Sequence, residues 1–376
     1  MRSLTLKICH FLYIHIGKPF MFLFDAEFIH NSITNLGKII GNIKPITWLM
    51  KKFTLVENPI LAQMTGNICF KNPIGLAAGF DYEAKLTQIL PAVGFGFQTV
   101  GTITNKQYEG NIKPRLGRLP KSRSLLVNKG FKNLGIRETL KRLENKKFEI
   151  PVGLSIGVTN TSSLSNQEVA INDIVEAFKV AERSFIPFSY YEMNISCPNL
   201  HVKVDFYSPK HFEELLIAVT KLNLSKPLFI KMPIDETNDE VLEILKVIVR
   251  YPVQGVIFGN LQKNKNDPAL HPLEVENASK GYFSGKPTEK RSNELISLTY
   301  KTYGKKLTII GCGGVFSPED AYKKIRLGAS LVQLITGMIY EGPQLIAEIN
   351  LGLIKLLKKD GFNNITEAVG ADVVTK

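Results

Sequence analysis

Residues 307–314 (LTIIGCGG), 318–327 (PEDAYKKIRL) and 330–337 (SLVQLITG) spell a short apolar strand, a charged helix and a second short apolar strand. Both strand runs are apolar almost throughout rather than alternating, the pattern of parallel strands buried on both faces. The same unit recurs toward the N-terminus. Strand-type runs fall at residues 73–79 (PIGLAAG), 97–104 (FQTVGTIT), 151–157 (PVGLSIG), 190–196 (YYEMNIS), 227–233 (PLFIKMP) and 255–260 (GVIFGN). Helical patterns at residues 167–183, 209–222, 238–249 and 343–358 lie between or after them. Eight such alternations predict an α/β protein folded as a (β/α)8 TIM barrel, with a doubly wound open sheet as the competing arrangement.

The composition suits one large core. The chain has 376 residues, 44% apolar, 22% charged and 9% aromatic, which excludes disorder, collagen-like repeats and coiled coil as the main architecture. Lys+Arg 47 against Asp+Glu 34 gives a net charge of +13, a balance compatible with nucleic acid, a membrane surface or an anionic substrate. The basic residues form no motif with interleaved aromatics, so nucleic acid is not expected. The four cysteines, Cys9, Cys69, Cys197 and Cys312, show no CxxC pair, so neither a disulfide framework nor a metal site is expected. No apolar run reaches the ~18 residues of a spanning helix.

The front of the chain has a character of its own. Residues 1–52 carry Arg2, Lys7, Lys18, Lys38, Lys44, Lys51 and Lys52 against only Asp25 and Glu27. Leu4, Ile8, Phe11 and Leu12 recur at helical spacing, as do Phe28, Ile29, Ile33, Leu36, Ile39 and Ile40. Gly17-Lys18-Pro19 predicts a break between two short amphipathic helices. Apolar blocks continue past Phe28 without an A-x-A-like site, unlike a cleavable signal peptide. Two roles fit: a helical hairpin packed on the main domain, or an interfacial anchor with apolar side chains at the headgroup boundary and lysines on anionic lipid. The expected division is residues 1–52 as this helical segment and 53–376 as the barrel.

In a barrel the residues that close each strand form the site. Here they are Ala78-Gly79, Thr102, Ser155, Asn194/Ser196/Cys197, Lys231, Asn260, Gly313-Gly314 and Thr336-Gly337. Small residues, amides, one lysine and one thiol suit a planar heterocyclic ligand better than a metal. Gly-rich ends on two adjacent strands, with Ser284-Gly285 upstream, point to a bound phosphate, because glycine lets backbone N–H groups approach an anion. Lys231 ends so apolar a run that a solvated surface position is a poor fit; its ammonium suits the electron-rich edge of a flavin.

These motifs resemble the dihydroorotate dehydrogenases, in particular the membrane-associated, quinone-reducing class. The likeness runs through residues 24–40 (FDAEFIHNSITNLGKII), 71–81 (KNPIGLAAGFD), 93–104 (VGFGFQTVGTIT), 113–119 (KPRLGRL) and 194–199 (NISCPN). It resumes at residues 309–315 (IIGCGGV), 328–343 (GASLVQLITGMIYEGP) and 360–372 (DGFNNITEAVGAD). The resemblance implies FMN as cofactor, oxidation of (S)-dihydroorotate to orotate, a membrane quinone as acceptor, and a place in de novo pyrimidine (UMP) biosynthesis. It implies Cys197 as the base that removes the C5 proton, with Asn128, Asn194, Asn199 and Asn260 on the substrate. Around FMN it implies Ala78, Gly79, Thr102, Ser155, Asn194, Lys231, Gly259, Ser284, Gly285, Gly313, Gly314, Thr336 and Gly337. An ordinary thiol pKa near ~8.5 needs only a modest shift for Cys197 to serve as a thiolate. Arg118 matches an arginine of the quinone tunnel. The implied location is peripheral, on the cytoplasmic face of the cell membrane or, in a eukaryote, the inner mitochondrial membrane.

Several positions depart from the family pattern. Cysteine at 197 marks the soluble class, whereas the quinone-linked class carries serine. Tyr82 follows Asp81 where the family has a lysine touching flavin and substrate, and Lys85, one helical turn on, is the candidate replacement. Asn128-Lys129-Gly130-Phe131 is one residue shorter than the usual Asn-x-x-Gly-Phe. Gly259-Asn260-Leu261 loses two hydroxyls, Ser155 stands for an asparagine and Val158 for a lysine, and Leu200-His201-Val202-Lys203 replaces a Gly-containing loop. The phosphate half is intact and the substrate half altered. The competing functions are therefore an FMN oxidoreductase acting on another cyclic amide or acid, and a catalytically weak, flavin-binding, membrane-associated paralogue.

Overall fold

The computed structural model describes residues 2–164, 166–201, 204 and 206–373; Val202 and Lys203 of the altered loop lie outside the described residues. Eight parallel strands close into a barrel in chain order: β1 (Ile74–Leu76), β2 (Phe97–Ile103), β3 (Val152–Ile156), β4 (Tyr190–Asn194), β5 (Leu228–Lys231), β6 (Gly255–Phe258), β7 (Thr308–Cys312) and β8 (Leu331–Leu334). All eight expected strands are present, each trimmed at one or both ends, and the open sheet is excluded. Outward residues such as Tyr191 and Met193 of β4 pack with Phe178, Phe212 and Leu215 of the surrounding helices. The inner face of β4 carries Tyr190, Glu192 and Asn194 at period two.

The interior fills in layers. Phe97, Tyr190, Phe229, Ile257, Ile310 and Leu331 form an apolar floor, closed from below by Phe70 of a short antiparallel hairpin (Gln63–Thr65 with Ile68–Phe70). Gly153 makes room for this floor, since a Cβ there would lie 2.1 Å from the Tyr190 ring. Above it the Tyr190 hydroxyl meets Thr99 Oγ1 at 2.8 Å, and Gln333 Nε2 donates to Thr99 Oγ1 at 2.9 Å. Side chains therefore plug the barrel up to the level of its polar rim. A three-stranded antiparallel sheet (Leu116–Leu119, Ser124–Val127, Tyr282–Phe283), built by the loops after β2 and β6, stands over that rim. The chain's strand–helix alternation did not reveal it, because it is assembled from two distant loop segments.

The N-terminal segment differs from expectation in one respect. α1 (Arg2–Leu12) does not stop at Gly17-Lys18-Pro19; it passes through a π-helical turn (Tyr13–Gly17) into a further helical turn (Lys18–Phe22). The Lys18 N–H reaches back to the Tyr13 carbonyl, and Pro19, with no N–H to satisfy, sits in the first turn of the continuation. The true corner is at Leu23–Asp25, where the Asp25 carboxylate accepts from the Phe28 N–H at 2.8 Å and starts α2 (Ala26–Gly41). α3 (Lys44–Thr54) then runs across the expected boundary at residue 52. The segment is docked by side chains: Tyr13 Oη donates to the Ile339 carbonyl at 2.6 Å and Lys18 Nζ to the Tyr340 carbonyl at 3.2 Å.

Its amphipathicity is inverted. The residues α2 buries against the barrel are Ala26, Glu27, His30 and Thr34, whereas Phe28, Ile33, Leu36 and Ile39 face outward. Leu4, Ile8, Phe11 and Phe20 extend the same outward apolar face. Among the described residues no helix is long and apolar enough to cross a membrane.

Candidate active site

The rim of the barrel encloses a cavity with about 1180 Å³ of empty space, counting its open mouth, within reach of a cofactor-sized ligand. Its wall includes Ala78, Gly79, Thr102, Asn194, Cys197, Asn199, Lys231, Gly259, Asn260, Ser284, Gly285, Gly313, Gly314, Thr336 and Gly337. Lys129, Lys132 and Lys231 line it too, and among the described residues no carboxylate does. Such a site favours anions.

One side is a directional chain of hydrogen bonds. Asn260 Nδ2 donates to Ser196 Oγ at 2.6 Å, Ser196 Oγ donates to Asn194 Oδ1 at 2.9 Å, and Asn194 Nδ2 donates to Thr102 Oγ1 at 2.7 Å. Thr102 Oγ1 and Ser155 Oγ are 2.9 Å apart, and Ser155 donates to Glu192 Oε1 at 2.7 Å. The Glu192 carboxyl ends the chain, and the bonds above it hold Asn194 and Asn260 in place. Burial pushes this carboxyl up, against the pull of Lys231. Ser155, expected beside the cofactor, is not on the cavity wall: it is wholly buried one layer down, between Thr102 and Glu192. Sequence reasoning missed Glu192, although a carboxylate within the apolar run YYEMNIS was the available signal.

The opposite side, at β7 and β8, is a cradle of backbone and hydroxyls. In an eight-stranded ring β8 faces β4, so the cradle lies across the barrel from Asn194 and Cys197. Gly285, Gly313 and Gly314 have φ of +75°, +99° and +70°. A Cβ on Gly337 would fall 1.9 Å from the Val315 carbonyl oxygen, and one on Gly314 2.3 Å from Glu289 Cβ. Ser284 Oγ and Thr336 Oγ1 are 2.8 Å apart. Hydroxyls, close-approaching backbone and no lining acid fit a phosphate monoester, and with it the phosphate end of FMN.

Cys197 and Asn199 follow β4 on the amide wall. Burial pushes the Cys197 thiol up to about 12, only partly opposed by the Asn199 N–H and Lys231. The modest shift toward a thiolate expected from the sequence is thus overturned. Asn199 Nδ2 donates to the Val127 carbonyl at 3.0 Å, tying this loop to the rim sheet.

Two further expectations, for Asn128 and Lys85, are corrected by position. Asn128 is not on the cavity wall; it sits in an amide cluster, where its Oδ1 accepts from Asn111 Nδ2 at 2.9 Å. Its neighbour Lys129 takes the wall position, and the sequence reading had passed over it. Lys85 does not replace the missing lysine, because its ammonium binds Glu83 at 2.7 Å outside the cavity wall. Arg118 also lies off that wall: Nη1 donates to the Phe24 carbonyl at 2.7 Å, and the guanidinium sits 4.6 Å from the Phe22 ring centre. It thus joins the barrel to the corner before α2. Leu116, Leu125, Val127, Ile335 and Ile339 give the cavity an apolar flank.

A closed (β/α)8 barrel whose rim opposes a phosphate-type cradle to a thiol and amides defines a barrel enzyme for a phosphorylated heterocycle. The comparisons narrow this class. The sequence model described as dihydroorotate dehydrogenase matches residues 60–357, and the chain belongs to that family. It is 34% identical over 363 residues to the dihydroorotate dehydrogenase (quinone) of Trichodesmium erythraeum, covering 92% of this chain and 94% of the relative. The corresponding protein of Christiangramia forsetii is 35% identical, over 92% of this chain and 99% of its own. Among solved structures, the DHODH of Eimeria tenella in complex with ferulenol superposes with a TM-score of 0.76 at 28% identity, covering 88% of this chain and 94% of that one.

Proposed function

We infer that this chain oxidises (S)-dihydroorotate to orotate with bound FMN and passes the electrons to a membrane quinone, a step of de novo pyrimidine biosynthesis. The observation that carries the reading is the cavity itself: cationic, free of acids among the described residues, with Cys197 and three amides facing a phosphate-type cradle. Cys197, acting as the thiolate, takes the C5 proton and becomes the thiol, and the electron pair of that C–H bond becomes the C5=C6 double bond as hydride leaves C6. FMN, when bound, supplies the two-electron acceptor for that hydride. Asn194, Asn199 and Asn260 offer both donors and acceptors to the ring amides and carbonyls. Ser284, Gly285, Gly313, Gly314, Thr336 and Gly337 hold the phosphate. Lys231 places positive charge beneath the site, and the family names of the relatives support the acceptor.

The outward apolar face of residues 1–54 supports peripheral attachment to lipid, which would bring the apolar flank of the cavity near dissolved quinone, with Arg118 at the joint. The test is anaerobic mixing of the flavin-loaded protein with L-dihydroorotate, followed by a soluble quinone. Bleaching and then return of the yellow absorbance is expected. A yellow protein inert to dihydroorotate, or a polypeptide that stays colourless after reconstitution with FMN, refutes the reading.

A further inference from the structure

Lys129 is a buried cation on the cavity wall. Only 8% of it is exposed. The turn that sets it on the cavity wall has two successive left-handed residues, Gly130 at φ 64° and Phe131 at φ 63°. Its flanks are pinned: the Asn111 N–H donates to the Lys129 carbonyl at 3.3 Å, and Asn160 Nδ2 to the Gly130 carbonyl at 3.1 Å. The ammonium donates to Tyr82 Oη at 3.0 Å and stands 4.2 Å from the centre of that ring. Tyr82 is itself stacked on His30, ring centres 5.2 Å apart.

Among the described residues no carboxylate lies within ion-pair distance of Lys129. The two acids whose fields reach it are already engaged: Glu27 by Arg115 at 3.1 Å and Lys132 at 3.4 Å, Glu83 by Lys85 at 2.7 Å and Arg142 at 3.3 Å. Burial, reinforced by Lys132 and Arg115, brings the ammonium down to about 7, and burial with Lys129, Lys85 and Lys132 holds His30 well below the usual imidazole range. A buried ammonium aimed into a cavity is costly unless an anion joins it there. The phosphate cradle lies on β7 and β8, across the ring. Lys129 instead borders the wall of Asn199 and Cys197.

We propose that Lys129, held by the Tyr82 hydroxyl, is the cation that receives the carboxylate of the substrate. The proposal rests on the dihydroorotate reading. It assigns Lys129 to substrate binding and Tyr82 to its positioning.

The experiment titrates orotate, and its carboxamide analogue, into the flavin-loaded full-length protein, reading the flavin spectrum and the heat of binding. Lys129→Met is expected to weaken orotate by about 30-fold or more while shifting carboxamide binding less than about 3-fold and retaining flavin. Tyr82→Phe is expected to weaken orotate by a smaller factor, in the same selective way. If Lys129→Met does not fold, Lys129→Gln carries the same comparison of orotate with its carboxamide. Wild-type orotate affinity in the folded Lys129 variant overturns the assignment. If the wild-type protein neither binds orotate nor is reduced by dihydroorotate, the functional reading itself fails, and the assignment with it.

Discussion

In the proposed reaction Cys197 carries the proton step, and its setting makes a quantitative demand. Burial pushes the thiol up to about 12. Below pH 9 the thiolate population is then about a thousandfold smaller than that of an unperturbed thiol. At pH 7 about one molecule in 10⁵ carries it, and each pH unit multiplies that fraction by about ten. Flavin reduction at saturating dihydroorotate should therefore climb about tenfold per unit between pH 7 and 9, without a plateau. Stopped-flow absorbance under anaerobic conditions measures this directly. Alkylation of Cys197 by iodoacetamide, mapped by mass spectrometry, should climb in parallel in the protein without substrate. Cys197→Ala should remove the pH slope and lower the rate by about 10²–10⁴ with the flavin absorbance intact. A plateau below pH 9 in both measurements would mean that Lys231 and the Asn199 N–H outweigh burial at this sulfur. Retained reduction in Cys197→Ala would take the thiol out of the reaction altogether.

Gly314→Ala meets both a φ of +70° and a Cβ contact of 2.3 Å with Glu289, so it should cost about 1–3 kcal/mol of stability and release flavin on gel filtration. Glu192→Leu removes the acceptor that ends the chain from Asn260 and leaves the Ser155 hydroxyl unmatched; a loss of about 1–3 kcal/mol in urea unfolding is expected. Because Lys129 is depressed to about 7 from 10.5, the unfolded chain binds more protons than the folded one between these values, so the ligand-free protein should gain stability as pH rises from 7 to 9. Lys129→Met should flatten that gain. Phe20→Glu with Phe28→Glu, at positions 61% and 59% exposed, should abolish co-sedimentation with anionic vesicles while flavin reduction by dihydroorotate stays within about twofold.

The barrel was legible because burial on both faces leaves a mark that needs no partner to be read: eight apolar runs, each bounded by a polar or glycine-rich end, came out as eight strands. The cradle was legible for a related reason, since a backbone that must approach an anion tolerates nothing but glycine at those positions. The substrate wall obeys a different rule. It depends on the phase of a tight turn, which residue identity alone does not set: Asn128, the residue the pattern pointed to, faces Asn111, while Lys129 lines the wall. The N-terminal segment was hard to assign for a third reason. Periodicity shows that a helix has two faces but not which one the protein keeps. α2 keeps the polar face, because Glu27 and His30 meet Arg115, Lys132 and the Tyr82 ring beside the cavity. Its outward phenylalanine, leucine and isoleucines follow from that choice. The loss of a lysine at residue 82, a buried lysine at 129, and a helix that turns its acid inward are thus one arrangement: Tyr82 holds Lys129, and Glu27 tempers the cations around it without pairing with it. A single substitution within that set should disturb substrate charge recognition before it disturbs the fold.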